Sequence, residues 1–150
     1  MIEEAINKLA AIITEYPERF KAIPENQFST KPSPQKWSKK EILGHLIDSA
    51  TNNHHRFIRV QFEDKPEISY DQDMWVQYNH YNELASTELI HFWMAYNNQL
   101  IEIIKRIPAA NLLRECKMRD GSFLTLNYLV NDYVVHLQHH LDQIFDSSHH

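Results

Sequence analysis

The sequence predicts an all-α protein, a four-helix bundle with one crossover connection. Four segments carry apolar residues at the three- and four-residue spacing of amphipathic helices. Only 2 of the 150 residues are glycine, so tight turns are few and long helices joined by ordinary loops are favoured. Neither an internal repeat nor a low-complexity segment divides the chain. We therefore expect a single domain that spans residues 1–150, which is an ordinary domain length.

The first two helices are predicted from their periodicity and their ends. Apolar residues recur at helical spacing from Ile2 onward, and the first helix is expected to end before Pro17 because proline interrupts a helix. Ser38 has the character of an N-cap, and Glu41 three residues later completes a capping box. The second helix is therefore predicted from Ser38 to about Phe62. The proline-rich segment between the two helices has no periodicity and is predicted to be a loop.

The third helix is predicted to begin near Ser86 or Thr87 and to stop before Pro108. The stretch that precedes it has no helical period and is predicted to be a long crossover connection. Seven residues form the predicted buried face of the third helix: Leu89, Ile90, Trp93, Tyr96, Leu100, Ile103 and Ile104.

A short β-hairpin is predicted between the third and fourth helices. The pair Asp120-Gly121 lies between alternating apolar residues, which is a strong signal for a hairpin turn. The fourth helix is predicted from about Thr125 to Phe145. Four amphipathic helices with a crossover after the second are typical of a four-helix bundle.

The composition excludes several classes of partner. The chain has 15 basic and 20 acidic residues, a formal net charge of -5, and no long basic run, which argues against nucleic acid as the main partner. No apolar run approaches the roughly 20 residues of a membrane span. The only cysteine, Cys116, cannot form an internal disulfide, and two acidic residues stand near the N-terminus where a secretory signal would be basic. We therefore expect a cytoplasmic protein without a membrane partner.

Three histidines in the fourth helix are the first candidates for a functional site. At about 100° per residue, His140 falls near the centre of the apolar arc and His136 at its edge, while His139 projects towards solvent or a position beside the ligands. His136 and His140 would stack on one face about 6 Å apart, which is close enough to bind one metal ion together. A buried imidazole without a partner gives up its hydrogen bonds with water, so we expect a partner for this pair.

The second helix offers a third ligand. His45 borders its apolar face, and Ser49, Asn52 and Arg56 continue the same stripe. Three histidines with open positions filled by water are typical of a catalytic zinc site, whereas structural sites use four protein ligands. Spacing alone leaves two interpretations open, a metal site and histidines whose hydrogen bonds are satisfied within the core. A single divalent ion, Zn²⁺ first and Ni, Fe or Mn as alternatives, would suit three imidazoles.

Other chemistries have weaker support. A carboxylate-bridged di-iron bundle needs two Glu-x-x-His motifs, and only Glu88 to His91 has that spacing. Cys116 has no obvious base near it in the sequence, so covalent catalysis by the protein is not expected, and no catalytic residue beyond the metal ligands is assigned. His149 and His150 are set aside, because a terminal pair is either native or the remnant of a tag.

Three motifs in this order resemble the DinB-like superfamily, specifically its YfiT-like branch. They are WSKKEILGHLIDS, KPEISYDQDMW and YVVHLQHHLDQI, and the resemblance extends from about Pro32 to Phe145. It implies a four-helix bundle, often dimeric, with one divalent metal held by three histidines and open water positions. The positions that match this site are His45, His136 and His140, together with Asp48, Asn52 and Arg56 on the second helix.

The resemblance also implies an enzymatic function. Members of the branch are described as metal-dependent hydrolases or as S-transferases that join a low-molecular-weight thiol such as bacillithiol to an electrophile. We expect a metal-dependent thiol S-transferase that acts as a homodimer on small molecules, with Arg56 or Asn52 orienting the thiol. The alternatives are a hydrolase of the same fold and a binding module without turnover. No carboxylate is clearly placed as a general base, which favours thiol transfer or binding over hydrolysis.

Overall fold

The computed structural model describes residues 2–145, in which four long helices pack side by side. Helix α1 packs against α5 and α6, and α3 packs against the same two helices from the other side. The elements in chain order are α1 (Ile2–Lys21), α2 (Glu25–Phe28), α3 (Lys39–Arg59), α4 (Gln72–Asn79), α5 (Ser86–Lys105), β1 (Glu115–Lys117), β2 (Phe123–Thr125) and α6 (Leu126–Phe145), with 3-10 turns at Tyr81–Glu83 and Asn111–Leu113. The predicted four-helix bundle is confirmed. Across residues 2–145, none of these helices combines the length and apolar composition that a membrane span needs.

Helix α1 does not end before Pro17, as the sequence predicted, but continues to Lys21 with the proline inside it. A proline in a helix interior costs about 3 kcal/mol. The turn that follows it carries Phe20, which is 1 % exposed and whose ring lies 5.3 Å from the ring of Trp93 and 5.1 Å from that of Phe145. Burial of one phenylalanine contributes about 1.5–3 kcal/mol, and each aromatic pair adds about 0.5–1.5 kcal/mol. Packing therefore offsets the cost of the proline.

Helix α3 begins as predicted and ends a few residues early. The backbone N–H of Glu41 donates to Ser38 Oγ at 3.0 Å, and the N–H of Ser38 donates to Glu41 Oε1 at 2.9 Å, so the capping box is formed. The helix ends at Arg59, whereas the prediction extended to about Phe62. Phe62 is 69 % exposed, so no burial of its ring favours a longer helix.

The two predicted connections contain short helices. Helix α2 lies in the first, and α4 with the turn at Tyr81–Glu83 lies in the crossover. Asp71 caps α4 by accepting from the N–H of Met74, and α4 is followed by His80, whose φ is 53°. The Tyr81 ring covers Gly44 of α3 so closely that a Cβ at Gly44 would overlap it. Helices this short show no readable periodicity, which is why the sequence predicted loops.

Helix α5 begins at Ser86, as predicted, but its buried face is turned slightly from the predicted one. Asn97 is fully buried, while Tyr96 and Ile103 are only partly buried. The Asn97 amide donates to the Trp93 carbonyl at 2.9 Å and its oxygen accepts from the Tyr133 hydroxyl at 2.6 Å. These hydrogen bonds let a polar residue occupy the core without a large desolvation cost.

The predicted hairpin and the fourth helix are both present. Strands β1 and β2 pair antiparallel with Cys116 opposite Leu124, and Gly121 in the turn has a φ of 89°, which glycine adopts without strain. Helix α6 follows β2 directly and ends at Phe145. The histidine pair at 149 and 150 lies outside the described residues.

Candidate functional site

A cavity of about 200 Å³ lies between α3 and α6, and it is called the histidine cavity below. Helix α3 presents residues to it at steps of four, four and three residues, and α6 does so at steps of four. The side chains that line it and could take part in chemistry are His45, Ser49 and Arg56 of α3 and Asp132, His136 and His140 of α6. All three histidines that the sequence singled out therefore border one space.

His45 is the most enclosed of these histidines, with 4 % of its surface exposed. Its ring stacks on Trp37 with 4.9 Å between ring centres and meets the His140 ring at 4.7 Å and 81°. Burial, with smaller contributions from the positive charges that His140 and His136 can carry, lowers the pKa of His45 to about 4. His45 is therefore neutral at neutral pH and has a lone pair to offer.

His140 is half-buried, and its ring is oriented by a residue of its own helix. Its Nδ1–H donates to Gln143 Oε1 at 2.9 Å. Because an amide oxygen only accepts, this hydrogen bond assigns the proton to Nδ1 and leaves the lone pair on Nε2. Burial is the largest cause that lowers the pKa of His140, and the bond to Gln143 opposes it. Such an orienting hydrogen bond is typical of histidines that bind metals.

His136 lies at the outer rim of the cavity. Its side chain is 63 % exposed, and its Nε2 lies 3.4 Å from Asp132 Oδ2 one turn earlier. As the side chains lie, residues 2–145 contain no group of three histidine, cysteine or carboxylate side chains close enough to hold an ion. An ion shared by the three histidines would require His136 to rotate away from Asp132. His139, which the sequence placed outside the pair, is exposed.

Two features of this arrangement fit a metal ion. Two imidazoles that bind one ion at about 2.1 Å have ring centres about 5 Å apart. The centres of His45 and His140 lie 4.7 Å apart, close to that separation. Moreover, no atom of the described chain forms a hydrogen bond with the buried Nδ1 of His45. An unsatisfied buried nitrogen costs about 1–3 kcal/mol, so a polar partner from outside the chain would be favourable here.

Arg56 brings a positive charge to the end of the cavity-lining face of α3 that lies opposite His45. Its Nε and Nη2 donate to the Ile68 carbonyl at 3.2 and 2.7 Å, and its Nη1 lies 3.4 Å from Asn53 Oδ1. Within the described part of the chain, it forms no ion pair with a carboxylate. A guanidinium has five N–H groups, and these contacts use three of them.

Asp48 and Asn52, which the sequence placed beside the site, do not line the cavity. Asp48 is 1 % exposed, and its Oδ1 accepts from the Tyr81 hydroxyl at 2.5 Å and from the Asn79 amide at 3.1 Å. The Asn52 amide donates to the Asp48 carbonyl at 2.9 Å. Asp48 fastens the crossover to α3, Asn52 bonds only within α3, and Asn53 lines the cavity where Asn52 does not. Their contact with a ligand stays a prediction.

Several residues at this site had no predicted role, among them Asp132, Tyr70 and Trp37. Asp132 lies four residues before His136 and so on the same face of α6, which means that helical spacing could have predicted its position. Tyr70 of the crossover lines the cavity, and burial raises the pKa of its hydroxyl. Trp37 stacks on His45 from the residue just before the Ser38 cap. Both Tyr70 and Trp37 lie within the motifs that carry the family resemblance, but helical spacing gives no signal for their position, because both reach the site through tertiary packing.

A family model described as the DinB superfamily matches residues 8–144. This chain belongs to the DinB superfamily. Among curated proteins, this DinB-superfamily chain is 24 % identical over 137 residues to a protein of Halalkalibacterium halodurans named "Putative metal-dependent hydrolase BH0277", covering 88 % of this chain and 80 % of that one.

Two solved proteins share the fold of this DinB-superfamily member. YfiT from Bacillus subtilis, described as a probable metal-dependent hydrolase with an unusual four-helix bundle topology, matches with a TM-score of 0.86, at 19 % identity over 95 % of this chain and 83 % of YfiT. A mycothiol-dependent maleylpyruvate isomerase matches in two structures with TM-scores of 0.76 and 0.72 at 10 % and 13 % identity, over 95 % of this chain and 60 % of the isomerase. The YfiT-like fold predicted from the sequence is confirmed.

Proposed function

We propose that this chain is a metal-dependent S-transferase that joins a low-molecular-weight thiol, of the bacillithiol type, to an electrophilic small molecule. The observation that carries the proposal is the meeting of His45, His136 and His140 at one cavity that also contains the unpaired Arg56. A relative named for metal dependence and a protein of the same fold named for its dependence on a thiol support it.

In this proposal His45, His136 and His140 hold one divalent ion. Three neutral imidazoles leave the charge of the ion uncompensated, and Zn²⁺ is the first candidate, with Ni, Fe or Mn as alternatives. When bound, such an ion acts as a Lewis acid that lowers the pKa of a thiol or of water in its open positions. Gln143 keeps the Nε2 lone pair of His140 free for this role through the hydrogen bond to Nδ1.

The role proposed for Arg56 is to bind and orient the thiol. Its carbonyl and amide contacts hold the guanidinium in place and leave two N–H groups free, which suits the two oxygens of a carboxylate. The cavity is only about 200 Å³, so it has room for one end of a thiol rather than a whole conjugate. Binding the anionic end of the thiol at Arg56 would direct its sulfur towards the histidines.

A hydrolase is the second candidate, and Asp132 favours it. This carboxylate lines the histidine cavity, where the sequence had indicated no general base. It could accept a proton from an attacking water, which a hydrolase needs and a thiol transferase does not. Asp132→Asn therefore separates the two reactions, because it should lower hydrolysis about a hundredfold and thiol conjugation less than threefold.

The deciding experiment is a conjugation assay on protein of known metal content. Purified protein is loaded with Zn²⁺, Ni²⁺, Fe²⁺ or Mn²⁺ and assayed with bacillithiol, glutathione and cysteine against a model electrophile, and in parallel with ester and amide substrates. We expect conjugation above the buffer rate with at least one thiol, and its loss in His45→Ala. Metal-loaded protein with no rate in the first assay and a rate in the second would identify a hydrolase. No rate in either would identify a binding module.

We further propose that the protein is a homodimer of the cytoplasm. A reaction that consumes a free thiol needs a compartment in which thiols are kept reduced. The homodimer part of the proposal rests on the resemblance to the YfiT-like branch, whose members are often dimeric. Light scattering at micromolar concentration tests the dimer, and a monomer mass would contradict it.

A further inference from the structure

A second and larger cavity adjoins the histidine cavity. Its volume is about 650 Å³, and it is called the Trp37 groove below. Its lining comes from the segment before α3, from α3, from α4 and from α6, and includes Lys36, Trp37, Ile42, Gln72, Asp73 and Gln143. Small-molecule sites typically have volumes of about 300–1,000 Å³. The groove therefore has the size of a substrate site, which the histidine cavity alone does not.

Three contacts join the groove to the inner histidines. Gln72 lines both cavities. Trp37 presents its ring to His45 with 4.9 Å between ring centres, and Gln143 accepts the Nδ1–H of His140 at 2.9 Å. A molecule in the groove would therefore lie against the two residues that hold the inner histidines in place. The histidines line only the first of the two cavities, and the groove reaches them through Trp37 and Gln143.

The two cavities differ in chemistry. The histidine cavity contains Arg56 with spare N–H groups and suits an anion. The Trp37 groove is lined by one Lys36 ammonium and one Asp73 carboxylate, which offset each other, and its apolar surface comes from Trp37 and Ile42. An indole offers a large flat face that stacks on planar molecules. The amides of Gln35, Gln72 and Gln143 line it as well, so the groove suits an uncharged planar molecule that carries polar groups.

We propose that the Trp37 groove binds the electrophilic co-substrate, an uncharged aromatic or similarly planar molecule, while the thiol binds from the Arg56 side. This assignment rests on the proposed transferase function. With an aryl chloride the thiol sulfur forms a bond to the ring carbon and the carbon–chlorine bond breaks. Chloride leaves with the bonding electrons, and the thiol proton passes to solvent. Each reactant would reach the histidines from its own cavity.

The test measures binding without turnover. The uncharged, unreactive nitroaromatic 1,3-dinitrobenzene is titrated into the metal-loaded full chain by calorimetry. We expect saturable binding whose affinity falls about tenfold in Trp37→Leu. Trp37→Phe should retain most of the affinity, because the aromatic face is the main contact. Ile42→Ala should weaken binding about threefold. Phe62→Leu, which changes an exposed aromatic ring outside both cavities, is the matched control and should bind like the original chain.

The same variants separate this proposal from the function on which it rests. In conjugation assays with 1-chloro-2,4-dinitrobenzene, Trp37→Leu should raise the KM for the electrophile and leave the KM for the thiol within about twofold, and Arg56→Ala should do the reverse. Absence of saturable binding, or equal binding in Trp37→Leu, Ile42→Ala and Phe62→Leu, would overturn the groove assignment even if conjugation occurs. Binding that depends on Trp37 without any conjugation would overturn the transferase function and support a planar-ligand site.

Discussion

The imidazole rings of His45 on α3 and His140 on α6 meet edge to face, with 4.7 Å between their centres. The pair joins two helices that are far apart in the chain, and its inner nitrogen, Nδ1 of His45, has no hydrogen-bond partner among residues 2–145. This relationship is the basis of the first two predictions.

Replacement of the inner histidines should abolish metal binding. His45→Ala and His140→Ala are each expected to reduce metal content from one ion per chain to less than about a tenth, because a site with two remaining imidazoles holds a divalent ion far more weakly. Elemental analysis after dialysis measures the metal content per chain. His139→Ala is the matched control, since that side chain is exposed on the same helix, and it should retain its metal. Loss of metal in His139→Ala with retention in His140→Ala would contradict the assignment of faces on α6.

Metal binding should stabilise the fold. An ion at a hundredfold excess over its Kd contributes about 2.7 kcal/mol to the free energy of unfolding. For a domain of this length that corresponds to an increase in Tm of about 5–10 °C. Thermal unfolding with Zn²⁺ and with EDTA measures the difference, and His45→Ala should show none. An equal Tm with Zn²⁺ and with EDTA for the unmodified chain would count against a metal site.

Arg56→Ala should raise the KM for the thiol about tenfold, because the variant loses the charged N–H donors proposed to bind an anionic group. Added salt should raise the KM of the original chain and have less effect on the variant. Arg59→Ala is the matched control, since Arg59 lies on the same helix and pairs with Glu63 at 2.7 Å outside the cavity. A change of less than threefold in Arg56→Ala would argue against this role.

The buried Asp48 should make stability depend on pH in an unusual direction. Burial, opposed by the hydrogen bond from Tyr81, raises the pKa of Asp48 from 3.8 to about 6. Because the folded pKa lies above the unfolded one, the contribution to stability is fully present below about pH 4 and is lost as the pH rises through 6. Relative to Asp48→Asn, the original chain should lose about 2–3 kcal/mol between pH 4 and pH 8. Urea unfolding at several pH values measures this difference, and parallel curves for the two proteins would refute it.

The hydrogen bond between Tyr133 and Asn97 should stabilise the core. Tyr133→Phe removes the donor to Asn97 Oδ1 and leaves that buried oxygen without a partner, which is expected to cost about 1–3 kcal/mol in the free energy of unfolding. In Tyr133→Phe with Asn97→Leu, both polar groups are gone, so the double variant should recover part of the loss. Urea unfolding compares the three proteins. If the double variant loses more free energy of unfolding than the two single variants lose together, the pair does not act through this bond.

Local signals in the sequence predicted much of the fold. The Ser38 and Glu41 capping box, the Asp120-Gly121 turn and the extent of α5 each depend on a few neighbouring residues, and each prediction is confirmed. The helix through Pro17 could not be predicted, because the packing of Phe20 against rings from α5 and α6 is a property of the whole fold.

Helical spacing predicted which side of α3 and of α6 faces the candidate site. It could not predict how wide a stripe of α3 faces the cavity. At about 100° per residue, Asn52 lies roughly 20° to one side of His45 and Asn53 roughly 80° to the other. The sequence gives no means of choosing between them, because the width of the exposed stripe depends on where α6 and the crossover cover α3. Tyr70 and Trp37 were missed for the same reason. Asp132 could have been predicted, because it lies four residues before His136 on the same face of α6.

The contact between Gly44 and the Tyr81 ring has a consequence for protein engineering. Tyr81 presses on α3 next to His45 and donates to Asp48 one turn further along, so the crossover is fastened to the helix that carries the innermost histidine. The crossover also supplies Tyr70 and Gln72 to the histidine cavity. A crossover transplanted from another member of the superfamily to alter substrate range would therefore need matching residues at positions 44 and 48. The crossover and these two positions should be exchanged together.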